Sequence, residues 1–282
     1  MADSLYSSTI SRDLQDYSDC YSVQGNSIGP LLNLATRNTL DNALLIANLT
    51  QLRSDCSIAA RSVDGIPVAI ASYYMDLPFN SLALLADNNI DAGYVIRILA
   101  NRHLKLKEGP TWGLYTEKTV SLIESTFGVI NVIPECQMVL RSENIPELAF
   151  DKSQYRLEQL TTNDMVQISR LYSLVPAMAW TPKALNFGPY YGVYYGENLV
   201  SIAGVHFSTR WSAEIGNVVT HPKHRRSNLA YATTRAVAEA LRKTTDTIFL
   251  CVMADNEPAL RLYQKMGFVT YQMLYLTQFM IA

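Results

Sequence analysis

The segment VVTHPKHRRSNLAYATTRAVAEALRK, residues 218–243, sets a β-branched run, a basic turn and an amphipathic helix in immediate succession. Leu229, Thr233, Val237, Ala240 and Leu241 recur at helical spacing, so the helix starts just after Arg225-Arg226-Ser227-Asn228, and Pro222 ends the strand. A helix entrance turns unpaired N–H groups and the positive end of its peptide dipoles outward. With Arg225 and Arg226 beside it, that entrance suits an anion such as a pyrophosphate, and the small Ala230 lets a ligand approach closely. A basic turn before a helix is also a common solvated cap, so its meaning depends on what lies downstream.

Downstream, NEPALRLYQKMGF at residues 256–268 reads as a second helix. Asn256 caps it, Pro258 sits in its first turn, Ala259, Leu262, Tyr263 and Met266 form its apolar face, and Gly267 ends it. An ordinary helix accounts for that much, but not for its position after the strand that follows the basic turn. Arg225-x-x-Asn228-x-Ala230 resembles the coenzyme A signature of the GNAT acetyltransferase superfamily, and residues 256–268 resemble its second motif, N-x-x-A-x-x-L-Y-x-x-x-G-F, at every defined position. Asn228 stands where the first motif has glycine. Asparagine is the side chain that best tolerates positive φ, which costs others roughly 1–2 kcal/mol.

The resemblance implies an acyl-CoA N-acyltransferase fold, a mixed α/β (α+β) architecture with a central, mostly antiparallel twisted sheet flanked by helices. It implies an N-acetyltransferase in which a primary amine attacks acetyl-CoA directly, with acetyl-CoA as co-substrate, no metal and no acyl-enzyme. The pantetheine arm would pair with the backbone of Asn217, Val218, Val219 and Thr220, and the N–H of Val219 would face the thioester oxyanion. The diphosphate would rest on Arg225, Arg226, Ser227, Asn228, Leu229 and Ala230, with Asn256 and Ala259 bordering the cofactor from the second helix. Tyr263 matches the superfamily's general acid, and Glu214 resembles the strand glutamate that serves as base in histone-acetylating members. Trp180, Tyr190 and Tyr191 would overhang the thioester and stack on the acceptor. His206 and His221 are read as structural histidines. The alternative is a non-catalytic acyl-CoA sensor, against which Tyr263 and Glu214 argue, because a sensor needs neither acid nor base.

These groups need a scaffold, and the 282 residues supply enough apolar sequence, 49%, for two cores. A formal net charge of −2 gives no global attraction to nucleic acid or anionic membrane, and HPKHRR is too short a basic cluster to bind nucleic acid. The first twenty residues lack the basic start and apolar middle of a signal peptide, and no apolar run reaches the ~18 residues of a membrane span. A soluble, cytoplasmic protein is expected. Cys20, Cys56, Cys136 and Cys251 are too scattered for a disulfide framework or a zinc site.

Apolar spacing predicts a helix over 31–53, then a hairpin turning at Asp64-Gly65. SLALLAD, TWGLYTE and VINVIPECQMVLR read as strands, with helices at about 91–107 and from 118. The second half repeats this order: YRLEQL, a helix over 162–174, a hairpin turning at 196–198, SAEIGNVVT, a helix over 228–243, TIFLCVMA, a helix from 258, and VTYQMLYLTQF. A tandem arrangement follows, with residues 1–150 a degenerate GNAT-like domain without a coenzyme A site that shapes the acceptor cleft, and 151–282 the catalytic domain. The boundary falls near 142–152, where Asn144 and Pro146 break the pattern. The partner is a small-molecule or peptide amine. The sequence leaves the oligomeric state open, a homodimer included.

Overall fold

The computed structural model describes residues 20–22 and 28–281, so the leader-free reading of the N-terminus lies outside the described residues. Contacts divide the chain into two compact units: Met1–Ile133 with Tyr275–Ala282, and Pro134–Leu274. Each is a mixed α/β unit with a mostly antiparallel sheet and flanking helices.

In the first unit, β1 (Cys20–Ser22), β2 (Cys56–Val63), β3 (Ile66–Tyr74) and β4 (Asn80–Leu85) form an antiparallel run. The β2–β3 turn is the expected hairpin, with Asp64 at φ 50° and Gly65 at φ 78°. The helix expected over 31–53 is instead two short ones, α1 (Gly29–Ala35) and α2 (Ala43–Leu49). Asparagine side chains capture backbone groups at the break: Asn38 Oδ1 accepts from the Asp41 N–H, and Asn42 donates to the Ala35 carbonyl. α3 (Asn89–Arg102), α4 (Lys105–Glu108) and β5 (Thr111–Tyr115) follow, then α5 (Glu117–Glu124). The parallel pairing of β4 with β5 is limited to Asn80↔Thr111 and Ser81↔Trp112. Beyond β5 lies a strand from the far end of the sequence, Tyr275–Phe279 pairing with Thr111–Tyr115.

β6 (Gly128–Leu140) crosses the division between units. The second unit continues with β7 (Tyr155–Gln159), α6 (Met165–Leu174), β8 (Tyr191–Tyr195), β9 (Asn198–Ser208), β10 (Ala213–Thr220), α7 (Leu229–Leu241), β11 (Ile248–Met253), α8 (Glu257–Lys265) and β12 (Phe268–Met280). Its strands run β6-β11-β10-β9-β8-β7, all antiparallel except β10 with β11. The core between this sheet and its helices is filled by residues such as Ile168, Tyr190, Val205, Val237 and Phe268.

The units do not divide at 142–152 as the sequence reading had it; that segment lies inside the second unit. Ile145 is buried in the core of that unit, Tyr231 donates to the Pro146 carbonyl at 2.6 Å, and Asn228 donates to the Ala149 carbonyl at 2.9 Å. Proline and charge marked an irregular stretch of chain, but irregular backbone tied down this way is not a linker.

Candidate active site

The parallel ladder of β10 and β11 stops at Ile215↔Leu250, although both strands continue. Past that point the β11-facing backbone of residues 216–220 has no strand partner, and a cleft of about 940 Å³ opens between the two strands and the entrances of α7 and α8. The cause is local. β10 carries a bulge between Gly216 and Val219, with Asn217 at φ 54°, a left-handed conformation that asparagine tolerates.

Three side chains brace this bulge from the core. Tyr172 donates to the Asn217 carbonyl at 2.8 Å, Asn217 donates to the Tyr190 hydroxyl at 2.9 Å, and Tyr190 donates to the Val205 carbonyl at 2.7 Å. The Tyr190 ring lies on Gly204, where a Cβ would come within 2.0 Å of it. Tyr190 is thus a core residue, 1% exposed, and does not line the cleft. Trp180 packs on Tyr172 and Tyr190 with ring centres 4.9 and 5.6 Å away, and Tyr191 packs against the same core. None of the three expected acceptor aromatics reaches the cleft wall; from their segment of chain, Pro176 does. Of the three, Tyr190 is bonded to the bulge, and Trp180 and Tyr191 pack against the core beside it.

Most of the expected cofactor residues converge. Asn217, Val218 and Thr220 line the cleft from β10, and Arg225, Arg226, Asn228, Leu229 and Ala230 from the turn and α7. Asn256 and Ala259 line it from α8, whereas Val219 and Ser227 do not; Val219 turns its side chain into the core. Arg226 and Asn228 have φ of 64° and 57°, so the turn winds left-handed into the helix. Among the described residues no side chain caps the first N–H groups of α7; Asn228, left-handed at the N-cap, instead donates its amide to the Ala149 carbonyl. Arg225 reaches the Thr220 carbonyl at 3.4 Å, and both arginines are exposed with no acidic partner among the described residues. Free amides, a positive dipole end and two cations without a described acidic partner meet at one place, the kind of arrangement that binds phosphates.

Tyr263 lines the opposite wall, 8% exposed, and burial pushes its phenol up to about 12. Glu214 is not a lining residue. Its carboxylate lies 3.2 Å from His206 Nδ1, and His206 lines the cleft with its ring over Gly216. Burial opposes a charge on His206, but the charge and hydrogen bond of Glu214, the charge of Glu135 and a hydrogen bond with Asn217 outweigh it and raise its pKa. Glu135, on β6, also lines the cleft. Burial first, and the like charge of Glu214 next, push its carboxyl up to about 7, with His206 acting in the opposite direction. Sequence reading missed Glu135 and set His206 aside. Each is a lone polar residue in an extended run, and only the strand order brings them together. Cys251 lines the cleft too; burial and the nearby carboxylates hold its thiol well above its usual range. Cys56, Cys136 and Cys251 are free thiols.

A splayed parallel strand pair, a bulged strand and an uncapped basic helix entrance define an acyl-CoA N-acyltransferase fold of the GNAT type. The model of the FR47-like protein family matches residues 190–276, which span β8 through most of β12. Among solved structures, the chain is similar to an acetyltransferase-like GNAT family protein from Novosphingobium aromaticivorans, at 21% identity over 75% of this chain and 88% of that one, TM-score 0.59. It is similar to a Drosophila melanogaster protein at 15% identity over 93% and 98%, TM-score 0.68. A tandem GNAT protein from the clavulanic acid biosynthesis pathway matches at 14% identity over 92% and 97%, TM-score 0.63, so the two-unit arrangement is shared along almost the whole chain. No curated protein matches the sequence. No described helix is long and apolar enough to cross a membrane.

Proposed function

We propose that the second unit is an acetyl-CoA-dependent N-acetyltransferase that acylates a primary amine by direct attack, without an acyl-enzyme. The convergence of the α7 entrance, the open backbone of β10 and the Tyr263 phenol on one cleft carries this reading. The residues present suit coenzyme A. Arg225, Arg226 and the free amides at Leu229 and Ala230 would hold its diphosphate, and the unpaired edge of residues 216–220 would take the amides of the pantetheine arm. That cofactor would supply the activated acyl group as its thioester.

The chain's own groups then supply proton handling and positioning. An ammonium has no lone pair, so the acceptor must lose one proton before it attacks. Backbone N–H groups near the bulge, Val219 among them, would face the oxyanion, and the braced bulge keeps them aimed without reorganisation. When the carbon–sulfur bond breaks, the Tyr263 phenol protonates the departing sulfur and recovers a proton from the amide nitrogen. A phenol held near 12 remains protonated until that moment. Cys251 would be the available nucleophile for an acyl-enzyme, but its raised pKa leaves no thiolate, which favours direct attack. Glu214, the expected base, sits one step back and holds His206.

The first unit is proposed to be a degenerate GNAT-like domain without a coenzyme A site. Its parallel β4–β5 pair opens onto a cleft of only about 180 Å³. The helix entered after β4 is capped by its own Asn88, whose side chain accepts from the Asp91 N–H, so its entrance is less free to take a diphosphate. Mixing the protein with acetyl-CoA and a panel of small-molecule and peptide amines, while following free thiol, tests the assignment. Amine-dependent thiol release is expected; coenzyme A binding without release across the panel would favour the sensor.

A further inference from the structure

We propose that Glu135 is the side chain that takes the proton from the acceptor amine, and this rests on the transferase reading above. Four adjacent strands, β6, β11, β10 and β9, carry Glu135, Cys251, Glu214 and His206. Glu135 pairs in register with Met253, and Cys251 pairs with Gln137 two positions along, so Glu135 and Cys251 share one face of the sheet, which is the cleft face. Of the two carboxylates, Glu214 is committed to His206 at 3.2 Å. Glu135 has no ion pair or side-chain hydrogen bond among the described residues and opens directly to the cleft.

The charges around it decide which group can act as base. Glu214 draws His206 toward its protonated form, the form that has no lone pair to accept with. The groups facing Glu135 are Glu214 from β10, His206 from β9, Cys251 from β11 and its neighbour Cys136; Tyr263 closes the cleft wall from α8. Both thiols are raised and neutral, and the phenol is neutral, so only Glu214 and His206 bring charge. A carboxyl balanced near neutrality is matched to accept a proton at physiological pH and pass it to solvent. The step balances. One ammonium N–H bond breaks and its proton goes to the Glu135 carboxylate and then to water, leaving a lone pair that forms the C–N bond as the C–S bond breaks.

The test is the pH dependence of kcat/KM for acetyl-CoA and the amine that the panel selects. Wild type should gain activity as pH rises through about 7. Glu135→Gln should lose about 10²- to 10⁴-fold in kcat/KM and lose that acid limb, with coenzyme A affinity by calorimetry unchanged. Glu135→Asp should recover part of the loss. His206→Gln removes the positive charge that lowers the Glu135 pKa, so its acid limb should move to higher pH. An unchanged limb and rate in Glu135→Gln, with the variant folded and binding coenzyme A, would overturn the assignment and leave the transferase standing. If wild type binds coenzyme A and acylates no amine, both readings fall together.

Discussion

Tyr263 and Glu135 face one cleft, the proposed acid and the proposed base, and burial shifts both in the direction those roles need. Burial raises an acid's pKa whichever acid it is. For the phenol this retains the proton to be donated; for the carboxyl it brings proton affinity up into the physiological range. Tyr263→Phe should therefore lower turnover by about 10²- to 10⁴-fold while leaving coenzyme A affinity nearly unchanged, a contrast read from steady-state kinetics beside calorimetry. Unaltered turnover would remove the phenol from the acid role. Tyr190 makes the complementary case. Tyr190→Phe breaks the bond to Val205 and leaves the Asn217 amide without its acceptor, so about 1–3 kcal/mol of stability should be lost in a denaturant titration. Because the bulge loosens with it, kcat should fall as well.

At the scale of elements, what matters is how a strand hands the chain to a helix. The α7 entrance works because Arg226 and Asn228 are left-handed and because Asn228 spends its side chain on Ala149 instead of capping the helix. Glycine would supply the same φ but not the tether. Arg226→Glu should weaken coenzyme A binding by at least tenfold and change the melting temperature little, since Arg226 is exposed and unpaired. An unchanged dissociation constant would place the diphosphate elsewhere. This turn was legible in the sequence, because strand, basic turn and helix are consecutive and their chemistry is local. Both hairpins were legible for the same reason, their turns marked by Asp64-Gly65 and Gly196. The acidic row was not, since Glu135 and Glu214 are neighbours only through the order of strands in a sheet. Nor was the packing of Trp180, Tyr190 and Tyr191 against the core. An aromatic that fills a core and one that meets a ligand look alike until the direction of the ring is known.

At the scale of the molecule, most of the order of elements was legible in the sequence, whereas contacts divide the chain elsewhere than at 142–152. A repeat of helices and strands suggests a cut between repeats, whereas the first unit keeps Tyr275–Ala282 as its own. Phe279 and Ile281 are 0% and 2% exposed, with Phe279 against Tyr115 and Phe127. Phe279→Ala should cost the first unit about 3–5 kcal/mol. Hydrogen exchange should show the loss in β2–β5, with protection in β8–β11 largely retained. Equal loss in both units would mean that they unfold as one.

That borrowed strand governs the order of events during synthesis. A ribosome delivers the chain from its N-terminus, at about 5–20 residues per second, so residues 111–115 emerge long before 275–279, the segment they pair with. Until residues 275–279 leave the exit tunnel, the β5 edge of the first unit stays open, and a nascent chain in that interval carries an unsatisfied edge of the kind that chaperones cover. The half that is made first is the half that finishes last.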